Sequence, residues 1–401
     1  MSAHVDFRQR LEGWRKLSFG VGALGLAASA WAWSTEPTAF ARMWLIAFLY
    51  WIALPLGSLA LSMLHYLTGG AWGLAIQRWM QAAMRTLPLF ALLFVPIALG
   101  MHELYEWTHA DVVANDELLA HKAPYLNSTG FLARAALFFA IWIGLSLLLA
   151  ANARKHDQGG GEAALGRLRT ISGPGLALYF LAMSFAAFDW SMSLEPHWFS
   201  TIYGVVFILG QGLSTLAFTI LLSSCAVRDA EVGSRLQPSH VHDLGKLMFA
   251  FVLLWAYVNY SQFVIIWSAN LAEETPWYLR RTVGAWGALA LVLIALHFAL
   301  PFLVLLSKGV KRNPRVLGAI AGFMLLMRLA DLVWYVAPAF AHGAEGADHG
   351  GGHAQSPLHW SLITSFVGIG GLWFGAFASA LRSRPLTSLP EPDPRAAAAH
   401  H

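Results

Sequence analysis

The sequence predicts an all-α integral membrane protein, and three observations predict it. Of the 401 residues, 57% are hydrophobic and 12% are charged, whereas ordinary soluble domains contain about 45–50% apolar and about 25% charged residues. Ten apolar stretches have the roughly 20 residues that a helix needs to cross a hydrocarbon core. Basic residues are abundant in alternate loops, as in multi-pass membrane proteins. This composition excludes a soluble enzyme and a disordered scaffold.

Ten transmembrane helices account for the apolar stretches in order. The predicted spans are 17–34, 43–67, 84–101, 130–151, 174–195, 199–226, 244–270, 282–306, 314–338 and 358–381. Four of them carry or adjoin prolines, which membrane helices tolerate and which we expect to kink them. The chain therefore divides into a cytoplasmic N-terminal segment (1–16), a ten-helix transmembrane domain (17–381) and a flexible cytoplasmic tail (382–401).

The lysines and arginines of the loops predict the orientation. Eighteen of the 26 lie in the N-terminal segment, the even-numbered loops and the C-terminal tail, whereas four lie in the odd-numbered loops. Cytoplasmic loops carry the excess of basic residues, so both termini are predicted to be cytoplasmic. The even number of spans agrees with this, because it places the two termini on the same side.

Helices two to five and six to nine form two consecutive four-helix bundles in this prediction, with helices one and ten flanking them. A step of four helices preserves orientation, so helix five corresponds to helix nine. Asp189 lies 15 residues beyond the start of helix five, and Asp331 lies 17 residues beyond the start of helix nine. In repeated transporter folds the working site lies between the repeats, which makes both acids functional candidates.

The fifth span carries an acid in an otherwise apolar stretch. Asp189 lies about 22 Å from the cytoplasmic end of the helix at 1.5 Å per residue. Glu195 and His197 follow at the predicted outer mouth. Ionisable groups inside a membrane are costly and face the bundle interior, so these three residues are candidates for a proton path through the outer half. The alternative is that they hold helices together and form a tight turn.

The ninth span contains Arg328 and Asp331, which are neighbours on one helix face because they lie three residues apart. Pairing is the least costly way to keep either charge in a membrane. One interpretation is a structural ion pair that locks helices together. The other is a barrier in a proton path that opens when Asp331 takes up a proton.

The seventh span is polar on two faces, so we expect protein or a wet cavity around it. Its hydroxyl and amide groups can hydrogen-bond water into a relay, although hydrogen bonding between helices is the alternative. The candidates for a relay on the middle and cytoplasmic side are Lys246, Tyr257, Tyr260, Ser261 and Gln262, together with His297 of the eighth span.

The chain is predicted to bind no redox cofactor or metal itself. A single cysteine, Cys225, excludes covalently attached c-type haem and cysteine-ligated iron–sulfur clusters. His65 and His297 fall at different predicted depths, which favours a titrating imidazole over bis-histidine haem. The His- and Gly-rich loop at 342–359 permits a metal site, but a solvated loop is the favoured interpretation.

Two stretches, DWSMSLEPHWFSTIYG (189–204) and WAYVNYSQFVIIWSANLAEETPWYLRR (255–281), carry a resemblance. The sequence resembles the ActF-type membrane subunits of bacterial alternative complex III, within the NrfD/polysulfide-reductase-C-like family. The resemblance extends over all ten spans. It implies two four-helix bundles with flanking helices, in a membrane subunit of a respiratory quinol:electron-acceptor (cytochrome c) oxidoreductase of the bacterial inner membrane.

The resemblance also implies that partners perform the redox chemistry. The implied partners are a multihaem cytochrome c subunit, a monohaem cytochrome c subunit, an iron–sulfur subunit, a sister NrfD-like subunit, small membrane subunits, lipid and, in some assemblies, a terminal oxidase, but no nucleic acid. Haem c and iron–sulfur clusters then belong to the partners, and quinol is the substrate of the complex. This chain would conduct protons coupled to quinol oxidation. The alternatives are a quinone-binding subunit and a purely structural scaffold.

Overall fold

The computed structural model describes residues 7–344, 358–382 and 385–388. Within these ranges the regular structure is helical and includes no strand. In chain order the α-helices are α1 (Phe7–Thr35), α2 (Pro37–Thr68), α3 (Ala71–Met84), α4 (Leu87–Leu93), α5 (Val95–Leu99), α6 (Met101–Leu104), α7 (Ala110–Asn115), α8 (Glu117–Lys122), α9 (Ser128–Lys155), α10 (Gly161–Trp190), α11 (Tyr203–Ala226), α12 (Ala230–Gly233), α13 (Pro238–Ala269), α14 (Thr275–Thr282), α15 (Gly284–Val292), α16 (Leu300–Leu306), α17 (Lys308–Arg312), α18 (Pro314–Val336) and α19 (Ser361–Leu381).

Nine helical stretches in the described ranges are long and apolar enough to cross a membrane. The predicted class, an all-α multi-pass membrane protein, is confirmed at this level. One of the nine stretches, Ser128–Leu194, has 67 residues, which is about 100 Å of helix at 1.5 Å per residue. It contains α9 and α10, which pack against each other on either side of a π-helical turn at His156–Gly160. Gly159 permits this turn, since its φ of 93° lies in the left-handed region.

Several helices begin earlier than predicted or are interrupted. α1 begins at Phe7, ten residues before the first predicted span, so the described part of the predicted N-terminal segment is the start of a helix. Phe7 and Leu11 are buried, because their spacing of four residues places both apolar side chains on the packed face. The third predicted span, 84–101, begins where α3 ends and is divided into α4 and α5, since Pro88 and Pro96 lie at the beginnings of these two helices.

The most buried helices are α2 and α11, which contact each other at the centre of the molecule. Helices α3, α4, α9 and α10 surround α2, and helices α13 and α18 flank α11. α19 also packs against α2, and it pairs closely with α1 through glycines. A β-carbon on Gly25 would lie 2.5 Å from the backbone nitrogen of Gly368, so both positions require glycine for the two helices to approach.

The connections define two ends of the bundle. We call the end formed by residues 100–127, 191–202 and 270–283 the loop-rich end. The other end, where residues 156–160, 227–237 and 307–313 connect the helices, is the opposite end. Helices α2 and α11 both run from the loop-rich end to the opposite end, and α18 runs the other way.

Candidate functional site

Asp189, the acid of the fifth predicted span, is paired with an arginine of the neighbouring helix. Arg134 of α9 binds its carboxylate in a bidentate ion pair, with Nε 2.7 Å from Oδ2 and Nη2 3.1 Å from Oδ1. Asp189 is fully buried, and the guanidinium of Arg134 lies 3.9 Å from the ring centroid of Tyr125. A bidentate pair satisfies both charges where water is excluded. The pair ties α9 to α10 near the loop-rich end.

Glu195 is held by two arginines at the loop-rich end. Arg281 Nη2 lies 2.6 Å from Oε2, and Arg280 Nη2 lies 2.6 Å from Oε1. Arg281 is fully buried and also donates a hydrogen bond of 2.9 Å to the backbone carbonyl of Tyr335 in α18. These contacts join the segment after α10 to α14 and α18. We call Glu195, Arg280 and Arg281 the Glu195 clamp.

His197 lies at the surface of the same end, where its Nε2 is 2.6 Å from Oδ2 of Asp116. The backbone N–H of Leu119 donates a hydrogen bond to Asp116 at the N-terminus of α8. This bond, with His197, holds the pKa of Asp116 below its ordinary value. His197 is thus exposed at the loop-rich end, where it contacts the ionised carboxylate of Asp116.

The predicted ion pair between Arg328 and Asp331 is present and buried. Nη1 of Arg328 contacts Oδ2 of Asp331, and the indole Nε1 of Trp255 donates a hydrogen bond of 3.2 Å to the same oxygen. The ring of Trp255 lies over the ring of His297, with 4.0 Å between their centroids. We call Trp255, His297, Arg328 and Asp331 the central cluster. Gly210 of α11 gives it room, because a β-carbon there would lie 2.1 Å from Nη2 of Arg328.

The central cluster contains polar atoms that lack partners among the described residues. Neither ring nitrogen of His297 has a hydrogen bond, and Oδ1 of Asp331 has none. His297 is fully buried and lies in a π-helical segment, Leu293–Ala299. Such local widening of a helix is frequent at functional sites. Nε of Arg328 is likewise without a partner among the described residues. An unpaired buried polar atom costs about 1–3 kcal/mol, so four at one place make the central cluster a candidate site for water or a proton.

Polar side chains continue from the central cluster toward the opposite end, and the sequence reasoning missed them. A small cavity of about 20 Å³, which has room for one water molecule, is lined by Arg328, Tyr50, Gln211 and Ser214 among other residues. Beyond Gln211, buried hydroxyls recur every four residues along α2 and α11. They are Ser58 and Ser62 on α2, with Thr215, Thr219 and Ser223 on α11. We call these groups, from Gln211 onward, the polar column.

The polar column ends in a hydrogen-bonded group at the opposite end. Gln77 and Gln81 of α3 donate to the hydroxyl of Tyr66 over 2.7 Å and 3.1 Å. Arg78 in turn binds Asp157 through two oxygens, with the shorter contact 2.6 Å. Asp157 is partly exposed. The four-residue spacing of serines and threonines in the second and sixth spans was the sequence signal for this column.

On the loop-rich side, polar contacts connect the central cluster to the Glu195 clamp. The hydroxyl of Tyr335 contacts Oδ1 of Asn259, and Asn259 Nδ2 donates a hydrogen bond of 2.8 Å to the carbonyl of Trp255. Tyr335 lies one helical turn from Asp331, and its carbonyl accepts the hydrogen bond from Arg281 of the clamp. Polar groups, most of them buried, therefore follow one another from Glu195 through the central cluster to the partly exposed Asp157.

The structure separates the candidates of the seventh predicted span. Gln262 is buried, accepts a hydrogen bond of 3.1 Å from Ser200 and donates one of 3.1 Å to Tyr278. Tyr257 and Tyr260 are each 68% exposed, and Lys246 is exposed and pairs with Asp243 at 3.0 Å. The face with Lys246 and the two tyrosines is thus exposed within this chain, and the expectation that protein or a wet cavity surrounds it stays a prediction. Ser261 is half-buried between the two groups.

The remaining histidines lie apart from the central cluster. His65 is near the opposite end, with Nε2 3.0 Å from the carbonyl of Gly70, whereas His297 belongs to the central cluster. Within the described ranges, no group of three or more His, Cys, Asp and Glu side chains is placed to hold a metal ion. Most of the predicted His- and Gly-rich loop, 345–357, lies outside the described residues.

No protein-family model matches this chain, and no curated protein matches it.

Proposed function

We propose that this chain is a proton-conducting membrane subunit of a respiratory quinol:cytochrome c oxidoreductase. Two independent arguments support the proposal. The resemblance to ActF-type, NrfD-like subunits gives the complex, its quinol substrate and the partners that carry haem c and iron–sulfur clusters. The succession of buried polar groups from Glu195 to Asp157 gives a route for protons. The chain itself then contributes no electron carrier.

The observation that carries the proposal is the central cluster. It lies between polar groups that reach the loop-rich end and the polar column that reaches the opposite end. Arg328 and Asp331 neutralise each other there, while Oδ1 of Asp331 and the ring of His297 have no partner among the described residues. A purely structural ion pair is expected to have its remaining lone pairs satisfied. An unsatisfied carboxylate oxygen is a proton acceptor.

We propose that a proton enters from the opposite end along the polar column and binds Oδ1 of Asp331. The neutral carboxyl loses its attraction for Arg328, and the released guanidinium, through its positive charge, repels the next proton on the column. His297, whose ring lies against that of Trp255, then accepts the proton on a free nitrogen. Tyr335, Asn259 and the Glu195 clamp complete the route to the loop-rich end.

The corresponding ion pair of the other four-helix group has a structural role in this proposal. Arg134 and Asp189 occupy α9 and α10, and both oxygens of Asp189 bind the guanidinium. Neither oxygen of this carboxylate is therefore left without a donor. We therefore place Asp189 outside the route, where it fixes α9 against α10.

We also propose the finer topology. The turn at His156–Gly160 divides the longest apolar stretch into two crossings, which brings the total to ten. Two four-helix bundles then contain the second to fifth and the sixth to ninth of these crossings, and α1 and α19 flank them. The excess of basic residues at the opposite end makes that end, with both termini, cytoplasmic. The membrane is the bacterial inner membrane.

The experiment compares two acid-to-amide variants of the intact complex in sealed vesicles. Asp331→Asn removes the proposed proton acceptor, and Asp243→Asn is the matched control because Asp243 is exposed on α13. We expect Asp331→Asn to lower the number of protons translocated per electron while quinol oxidation continues, and Asp243→Asn to change neither. Equal proton yields in the two variants reject conduction through Asp331.

The same experiment separates the two alternatives. If this chain is a scaffold, Asp331→Asn reduces the amount of assembled complex but leaves the proton yield of the remaining complex unchanged. If this chain binds quinone, the variant lowers the rate of quinol oxidation at limiting quinol, and proton yield and electron transfer fall together.

A further inference from the structure

A cluster of cations lies at the opposite end where α13, α17 and α18 meet. α17 contributes Lys308, Lys311 and Arg312, and Arg315 follows in the first turn of α18. Lys311 is fixed against α13. A β-carbon on Gly245 would lie 2.9 Å from Cγ of Lys311, and Nζ lies 5.5 Å from the ring centroid of Phe249. We call Lys308, Lys311, Arg312 and Arg315 the α17 patch.

The α17 patch has little compensating negative charge. Lys311 and Arg312 lie close enough to His242 of α13 to act on it electrostatically, as does Lys246, and Asp243 is the one acid that does so. Asp243 is already paired with Lys246 at 3.0 Å. Lys308, Arg312 and Arg315 are exposed and have no carboxylate partner among the described residues.

Two other arginines at the same end are paired within the chain. Arg8 lies 3.1 Å from Glu231, and Arg78 lies 2.6 Å from Asp157. The charge of the α17 patch is therefore available to a ligand.

An exposed apolar strip leads directly into the α17 patch. Leu300, Leu303 and Leu306 of α16 recur every three residues on one side of the helix, and their exposed fractions are 42%, 63% and 55%. Ser307 connects this helix to α17 without an intervening loop. A ligand that follows both surfaces must combine an anionic group with a long apolar chain.

We propose that the α17 patch binds an anionic phospholipid. The phosphate lies among Lys308, Lys311 and Arg312, with Arg315 at the rim, and an acyl chain lies along Leu300, Leu303 and Leu306. Basic pockets between membrane helices bind such headgroups, and each Lys or Arg contributes about 1 kcal/mol, which is about fivefold in affinity. This inference is independent of the proposed proton path.

The test uses the full chain purified in detergent and titrated with dioleoyl-phosphatidylglycerol, with dioleoyl-phosphatidylcholine as the neutral lipid. The double variant Lys308→Gln/Arg312→Gln removes two exposed cations of the α17 patch. The matched control is Arg154→Gln/Lys155→Gln, which removes two exposed cations at the end of α9. Because all four side chains are exposed, we expect both variants to fold.

We expect phosphatidylglycerol affinity to fall about 25-fold in the α17 variant and to stay within twofold of wild type in the α9 variant, with phosphatidylcholine binding unchanged in both. An equal loss in the two double variants overturns the proposal, since it indicates attraction by net charge alone. Inorganic phosphate and glycerol phosphate are the headgroup-only competitors. If either displaces the lipid completely at millimolar concentration, the site binds a free anion and the proposal is wrong.

Discussion

Trp255 donates a hydrogen bond of 3.2 Å from its indole nitrogen to Oδ2 of Asp331. The same oxygen binds Arg328, so one oxygen of the carboxylate has two donors while the other has none among the described residues. This asymmetry distinguishes Asp331 from Asp189, both of whose oxygens bind Arg134. The sequence predicts that the two acids occupy corresponding helices, and the different environments of their oxygens are the basis for the different roles that we propose.

The Arg328–Asp331 pair supplies the first prediction, which concerns stability. Arg328→Gln leaves a carboxylate buried without its cation, and removal of one partner of a buried pair costs about 3–5 kcal/mol. The double variant Arg328→Met/Asp331→Leu leaves no charge and is expected to recover most of that loss. Unfolding of the purified chain in mixed detergents measures the free energy of unfolding of the single and the double variant. A double variant as unstable as Arg328→Gln contradicts this account of the pair.

The Arg134–Asp189 pair is expected to respond unequally to its two single substitutions. Arg134→Gln strands a fully buried carboxylate, whereas Asp189→Asn strands a guanidinium that is 20% exposed and still contacts the carbonyl and ring of Tyr125. Since an uncompensated charge costs more the less water reaches it, Arg134→Gln should lower the unfolding free energy more. Equal losses of unfolding free energy in the two variants, or a larger loss in Asp189→Asn, contradict the conclusion that Asp189 is the more deeply buried partner.

The contact between α2 and α11 depends on Gly57. A β-carbon there would lie 2.3 Å from the carbonyl oxygen of Gln211, which is backbone and cannot move aside. Gly57→Ala should therefore separate the two central helices and lower the thermal unfolding temperature. Gly144→Ala is the control, because no atom lies within 4 Å of the added carbon, and alanine favours helix over glycine. If Gly57→Ala is as stable as Gly144→Ala, then α2 and α11 pack less closely than they do in the structure.

Tyr278, in α14 at the loop-rich end, provides a pH-dependent prediction. Burial raises its pKa from 10.0 to about 12, opposed in part by the hydrogen bond from Gln262. Because the folded pKa exceeds the unfolded one, the contribution of Tyr278 to stability is complete below pH 10 and is lost as pH rises toward 12. The tyrosinate absorbance of wild type minus that of Tyr278→Phe should show this late titration. A difference that titrates near pH 10 contradicts the burial of the hydroxyl.

The helical class and the Arg328–Asp331 pair were accessible from the sequence. Apolar length predicts a membrane helix directly, and residues three apart on a helix must be neighbours. Spans with proline or with polar ends were less predictable. Pro88 and Pro96 divide one span into several helices, and α1 extends to Phe7 because apolar residues four apart pack there.

Partners that come from distant parts of the chain were not predictable from one sequence. Arg134 and Asp189 are 55 residues apart, and Arg281 and Glu195 are 86 apart. No local spacing connects such pairs. The polarity of α13 was visible, but which of its faces is buried depends on the helices around it, so Gln262 lies inside and Tyr257 outside. The polar column had a local signal, the four-residue spacing on α2 and α11.

The central claim is that Asp331 takes up and releases a proton during turnover. Infrared difference spectroscopy of the intact complex, recorded as quinol is added, observes carboxyl protonation directly. We expect a carboxylic acid C=O difference band in wild type that is absent from Asp331→Asn and present in Asp189→Asn. A spectrum of Asp331→Asn that keeps every carboxyl band of wild type would contradict the claim.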